Sequence, residues 1–134
     1  MDYLLNIIPA VAVGLQVTLK IFVITIVLSL PLGILMSIAR ISSIKPLSRF
    51  MYMYIYIMRG TPLMLQILFI YYGLPFIIEG LRLSDFPAAI IAFVLNYAAY
   101  FAEIFRGGIQ SIDKGQYEGA KVLGMNYIQT MRRI

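Results

Sequence analysis

Three nearly charge-free apolar runs decide what this chain can become. Ile21 to Ala39 holds no charged residue and ends at Arg40. Gly60 to Ile78 holds none and ends at Glu79. Phe86 to Ile104 holds only Glu103, with Arg106 just beyond. Each run is close to the roughly 20 apolar residues that carry a helix across the hydrocarbon core of a bilayer. With short links between them, three such helices leave no room for a soluble domain. Composition points the same way. The chain is 61% hydrophobic and only 13% charged, against about 25% charged in ordinary soluble domains. It has no histidine and no cysteine. That excludes disulfides, thiol nucleophiles, imidazole bases and the usual zinc or iron ligand sets, so no metal site is expected. The eleven basic residues lie scattered between the apolar runs. A membrane accounts for them before nucleic acid does, and no nucleic-acid partner is expected.

The expected architecture is an all-α membrane protein with spans at about 21–39, 60–78 and 86–105, followed by a cytoplasmic segment at about 106–134, all in one domain over 1–134. Met1 to Asn6 has no basic region, so the start does not read as a signal peptide. Tyr3 to Lys20 reads as a mildly amphipathic lead-in, and the first helix could begin well before Ile21. The link after the first run carries Arg40, Lys45 and Arg49. The tail carries Arg106, Lys114, Lys121, Arg132 and Arg133. The other side carries Lys20 and Arg82, with Asp2, Glu79 and Asp85. With Arg59 set aside, that is eight basic residues against two, which places the N-terminus outside and the tail in the cytoplasm.

Polar residues inside the runs carry the functional information. Ser29, Gly33 and Ser37 form a row of small residues at four-residue spacing, which lets another helix approach closely. Pro31 in the same run could kink it. Phe50 to Met58, with Tyr52, Tyr54 and Tyr56, fits the cytoplasmic interface. Arg59-Gly60-Thr61-Pro62 marks a bend. Arg59, Gln66 and Gly73 are seven apart and would share one face of a continuous helix. Arg59 either snorkels to phosphates or needs a partner or an aqueous cavity. Asn96, Tyr100 and Glu103 form a polar stripe at i, i+4 and i+7. Two readings of it stand together: hydrogen bonding between helices with a Glu103–Arg106 pair, or lining of a solute path. Ala88, Ala92 and Ala99 lie near the same side and would permit close packing.

Gly107-Gly108 is expected to close the third run. A short helix then holds Gln116 to Leu123, opened by an Asp113/Gln116 capping box and stopped by Gly124. It is too short to stand alone, so it is expected to dock onto something. Gly119 and Ala120 keep its surface thin.

Glu118-Gly119-Ala120, then three residues, Gly124, nine residues and Ile134 resemble the EAA signature, E-A-A-x3-G-x9-I-x-L-P, of ABC-importer membrane subunits. Gly119 replaces an alanine, which loosens the helix by roughly 1 kcal/mol. Arg59-Gly-Thr-Pro-Leu63 with Gln66 and Tyr71-Tyr72-Gly73 is similar to the second-helix motif of polar amino-acid permeases. Ala99 to Ile109 with Gly115-Gln116 is similar to the third helix of that family and its exit, and Gly14, Thr18-Leu19 and Gly33 fit its first helix. The resemblance covers essentially the whole chain.

It implies an incomplete type I ABC importer permease fold in a bacterial cell membrane. The subunit would serve an ATP-driven, binding-protein-dependent importer of polar amino acids. Its partners would be ABC ATPase subunits, a second permease subunit and an extracytoplasmic solute-binding protein. Gln116, Tyr117, Glu118, Gly119, Ala120, Leu123 and Gly124 would form the helix that couples to the ATPase. Arg59, Gln66, Asn96, Tyr100 and Glu103 would line or support the solute path, since a zwitterion needs both donors and acceptors. The chain has no G-x-x-x-x-G-K-[ST] loop, so ATP and Mg²⁺ would sit on the partner, and the chain itself would be no enzyme and bind no cofactor. The family has five spans and the signature continues past Ile134, so the chain reads as a fragment, a truncated subunit or one half of a split one. The competing readings are a small structural or pore-forming membrane protein and a non-functional permease remnant. A membrane-embedded enzyme is disfavoured, because no paired carboxylates occur inside a run.

Overall fold

The first helix begins well before Ile21, as expected. The computed structural model describes residues 2–134, with side chains from Ile7 onward; Met1 and the side chain of Asp2, used in the charge tally, lie outside the described residues. Helix α1 runs unbroken from Asp2 to Ile41. At 1.5 Å per residue its 40 residues extend about 60 Å, about twice the thickness of the hydrocarbon core. Pro9 and Pro31 lie inside it and do not end it. The stretch before Lys20 has no single apolar face. Ile8, Val11, Leu15 and Leu19 are exposed on one side, and Val13 and Val17 are exposed on the opposite side. The Thr18 hydroxyl donates to its own helix at the Gly14 carbonyl, 3.0 Å away, and so builds no polar face.

Helix α2 spans Lys45–Gly60, with Pro46 in its first turn. Pro62 then drives the preceding residue out of the helical region, and Thr61 is extended at φ −112°, ψ 144°. The chain turns by 108° and continues as α3 (Leu63–Leu68), a π-helical turn (Phe69–Gly73) and α4 (Leu74–Ile77). The expected bend is therefore present. The bend also corrects one expectation: Arg59 and Gln66 lie on different arms, so Arg59, Gln66 and Gly73 share no continuous face. The π-helical turn sits just before Pro75. Proline offers no N–H and crowds the carbonyl four residues back. The wider turn, with the Leu74 amide donating to Phe69 O, relieves that crowding.

Helix α5 spans Asp85–Ser111. Gly107-Gly108 does not close it. A glycine inside a helix costs only about 1 kcal/mol, and Arg106 bonds Gln110 across the pair. Helices α6 (Lys114–Val122) and α7 (Tyr127–Arg133) follow. No strand occurs among the described residues. Ile7–Ile41 and Asp85–Ser111 are long and apolar enough to cross a membrane. The two arms around Thr61 qualify only as a bent pair.

Helix α5 is the element the others pack against, through its alanines. Ala88, Ala92, Ala98, Ala99 and Ala102 are fully buried. Ile70 of the π-helical turn packs on Ala88 and Ala92, and Ile55 of α2 packs on Ala99 and Ala102. Against α1 the contact is backbone-close: a Cβ added at Gly33 would lie 2.6 Å from Phe101 Cβ, and 3.2 Å from Ala102 N and Ala98 O. Ser29 and Ser37 are buried in the same row. The small-residue spacing thus marks a helix-packing seam.

Candidate functional site

Breaking a helix inside an apolar layer frees carbonyls that lipid cannot satisfy. The residues after Met58 answer that demand locally. The Thr61 hydroxyl donates to Ile57 O at 2.8 Å. Gln66 Nε2 donates to Met58 O at 3.0 Å, to Thr61 O at 3.2 Å and to Thr61 Oγ1 at 2.7 Å. Asn96 reaches over from α5, where Nδ2 donates to Met58 O at 2.9 Å and to Gln66 Oε1 at 3.0 Å. Asn96 is only 5% exposed. One amide network therefore ties the bend to the middle of α5. Tyr54 of α2 also reaches α5: its hydroxyl donates to Leu95 O at 2.8 Å.

The rest of the α5 stripe continues from this knot. Arg59 stands over the Tyr100 ring, 5.3 Å from its centroid, so the arginine has an aromatic partner. One turn on, Glu103 and Arg106 form the expected i,i+3 pair. Sequence spacing found Gln66, Asn96, Tyr100 and Glu103 but not the groups that join them. Backbone carbonyls leave no sequence signal. An Asn96→Ala substitution removes two buried bonds, and the expected cost is about 1–2 kcal/mol. Thermal unfolding in detergent, compared with Tyr97→Ala at the adjacent exposed position, checks it.

The second feature is α6. Asp113 caps it: Oδ1 accepts from Gly115 N at 2.7 Å. The expected capping box with Gln116 is absent, and the reciprocal box forms one helix later, between Asn126 and Gln129. Sequence reading missed α7, although Asn126-x-x-Gln129 was its signal. Gly124 ends α6 at φ +70°. Met125 N donates to Ala120 O and Gly124 N to Lys121 O, both at 3.0 Å, which is the Schellman arrangement. Tyr117 ties α6 back to α5, its hydroxyl donating to Ile109 O at 3.3 Å. Ala120 faces inward, while Val122 (87%) and Leu123 (79%) are exposed. Gln116, Glu118 and Gly119 are exposed as well. The Glu118 carboxylate is in no ion pair; Glu103–Arg106 is the one pair among the described residues. Those residues hold no cluster of potential metal ligands.

These features define an all-helical membrane protein with a broken helix at its polar centre and a short capped helix beyond its last long one. Residues 29–134 match the model of the binding-protein-dependent transport system inner membrane component family. The chain belongs to that family. It is 44% identical over 125 residues to an arginine transport system permease protein of Bacillus subtilis, covering 93% of this chain and 57% of that one. It is 34% identical over 126 residues to an L-cystine transport system permease protein of the same organism, covering 94% and 53%. Among solved structures it is similar to a chain from a crystal structure of an amino acid ABC transporter with histidines. That match has a TM-score of 0.85 and 38% identity, covering 96% of this chain and 59% of the other. The chain spans about half the length of the curated relatives it matches.

Proposed function

We propose that this chain forms part of the membrane permease of an ATP-driven importer for polar amino acids. The observation that carries the reading is α6. It is capped at both ends, anchored through Tyr117, and presents Val122 and Leu123 beside an unpaired Glu118 at the spacing of the family signature. A separate ATPase docks there and binds ATP and Mg²⁺; this chain binds neither. A solute-binding protein delivers the amino acid on the outer face, and a second permease subunit completes the pore. The N-terminus lies outside. The bent pair Lys45–Gly60 and Leu63–Ile77 counts as one crossing, giving three in a multi-pass protein of the bacterial inner membrane.

ATP-driven closure of the partner displaces α6, and Tyr117 passes the motion to α5. α1 moves with α5, since their seam leaves no slack at Gly33. The bend is where two packings of the helices can exchange. Gln66 and Asn96 have their amide hydrogens committed to the bend, so they support the path. Arg59 and Tyr100, which are exposed, and half-buried Glu103 present cation, ring and carboxylate to it. The test is uptake of labelled arginine and glutamine into vesicles holding the chain, its ATPase and its binding protein. ATP-dependent uptake that Gln66→Ala and Asn96→Ala both reduce is expected. Uptake indifferent to ATP would favour a simple pore and overturn the proposal.

A further inference from the structure

No aspartate or glutamate occurs between Tyr3 and Ile78, yet the corner joining α1 to α2 gathers three cations. Arg40, Lys45 and Arg49 border one open cavity of about 380 Å³, together with Ser42, Ser48 and Tyr52. The corner is built, not merely charged. Arg40 Nη1 donates to Ser48 Oγ at 3.1 Å, and that hydroxyl donates to Arg40 O at 2.6 Å. The guanidinium stands over the Tyr52 ring, 5.0 Å from its centroid. Of its five N–H donors, Ser48 takes one. Glu103, on the neighbouring α5, is bonded to Arg106 instead. The first turn of α2 starts at this corner and has no side-chain cap. Pro46 has no N–H and Ser48 N already donates to Ile44 O, so the Lys45 and Leu47 N–H groups and the positive end of the dipole add to the same field.

We propose that this corner binds a phosphate group, carried by an anionic lipid headgroup or free in solution. Three cations that no carboxylate among the described residues bonds, oriented arginine donors, serine hydroxyls and helix N–H groups suit phosphate oxygens. Position favours the lipid as carrier, because Ile41 ends a helix of membrane-crossing length and a basic pocket between helices at that level suits an anionic headgroup. The proposal does not rest on the transport reading; it needs only that α1 ends at a membrane surface.

The test uses the detergent-purified chain and three probes: phosphatidylglycerol, phosphatidylcholine and inorganic phosphate. Retention of each lipid is read by native mass spectrometry, and the effect of phosphate by melting temperature. Lys45→Gln with Arg49→Gln should weaken phosphatidylglycerol retention on the order of tenfold or more. Arg132→Gln with Arg133→Gln, the same change in net charge elsewhere, should leave it intact. Stabilisation by millimolar inorganic phosphate that the first pair abolishes would support the site and assign it to free phosphate as well. Equal retention of the two lipids with no phosphate effect would overturn the proposal, as would equal losses in the two variant pairs.

Discussion

Glu118→Lys is expected to abolish association with the ATPase while leaving the helical fold intact. The carboxylate is exposed and makes no ion pair, so its reversal removes no internal contact. Its neighbours Lys114 and Lys121, at i−4 and i+3, would then join it in one cationic patch. Where a docked carboxylate meets a complementary charge, losing one partner costs about 2–5 kcal/mol, and reversal adds repulsion. Affinity pull-down of the ATPase from solubilised membranes reads the result. Unchanged circular dichroism with the ATPase lost is the expected outcome. A normal complex would mean that α6 is not the docking element.

Gly33→Ala is expected to have the largest effect on stability. Its new Cβ would stand 2.6 Å from Phe101 Cβ, with the α5 backbone at 3.2 Å on two sides. Neither neighbour is a flexible side-chain tip, so the helices must separate or shift. Overpacking of this kind costs about 1–3 kcal/mol. Gly14→Ala on the same helix is the control, since nothing lies within 4 Å of its added Cβ. There the better helix propensity of alanine should be neutral or stabilising. The melting temperatures of the two variants in detergent decide the matter, and equal values would remove the seam from the account.

The legible parts of this protein were those that sequence spacing encodes directly. Apolar runs marked the two long helices, and Thr61-Pro62 marked the bend, because proline acts on its neighbour through local sterics. Glu118, Gly124 and Ile134 carried the family through their spacing, together with the Arg59–Leu63 and Ala99–Ile109 segments. What stayed hidden depended on partners remote in sequence. Asn96 reads equally as a path-lining or a packing residue until Met58 O and Gln66 Oε1 stand beside it. The Tyr54 bond was invisible because its acceptor, Leu95 O, lies 41 residues away. Gly107-Gly108 misleads for a related reason. Two glycines suggest an end, but the side-chain bond from Arg106 to Gln110 spans them and the helix continues. The start of α1 before Ile21 was legible too, since Lys20 is one charge and does not stop a helix.

The most direct test of the central claim, that α6 couples this chain to an ATPase, exploits the absence of native cysteine. Leu123→Cys puts a single thiol at the exposed end of α6. In membranes holding the chain and its ATPase, a short thiol-directed photocross-linker should join the two, with a yield that changes when ATP is added. Ile8→Cys, near the far end of α1, should give no such product. No cross-link from position 123, or an equal one from position 8, would contradict the account.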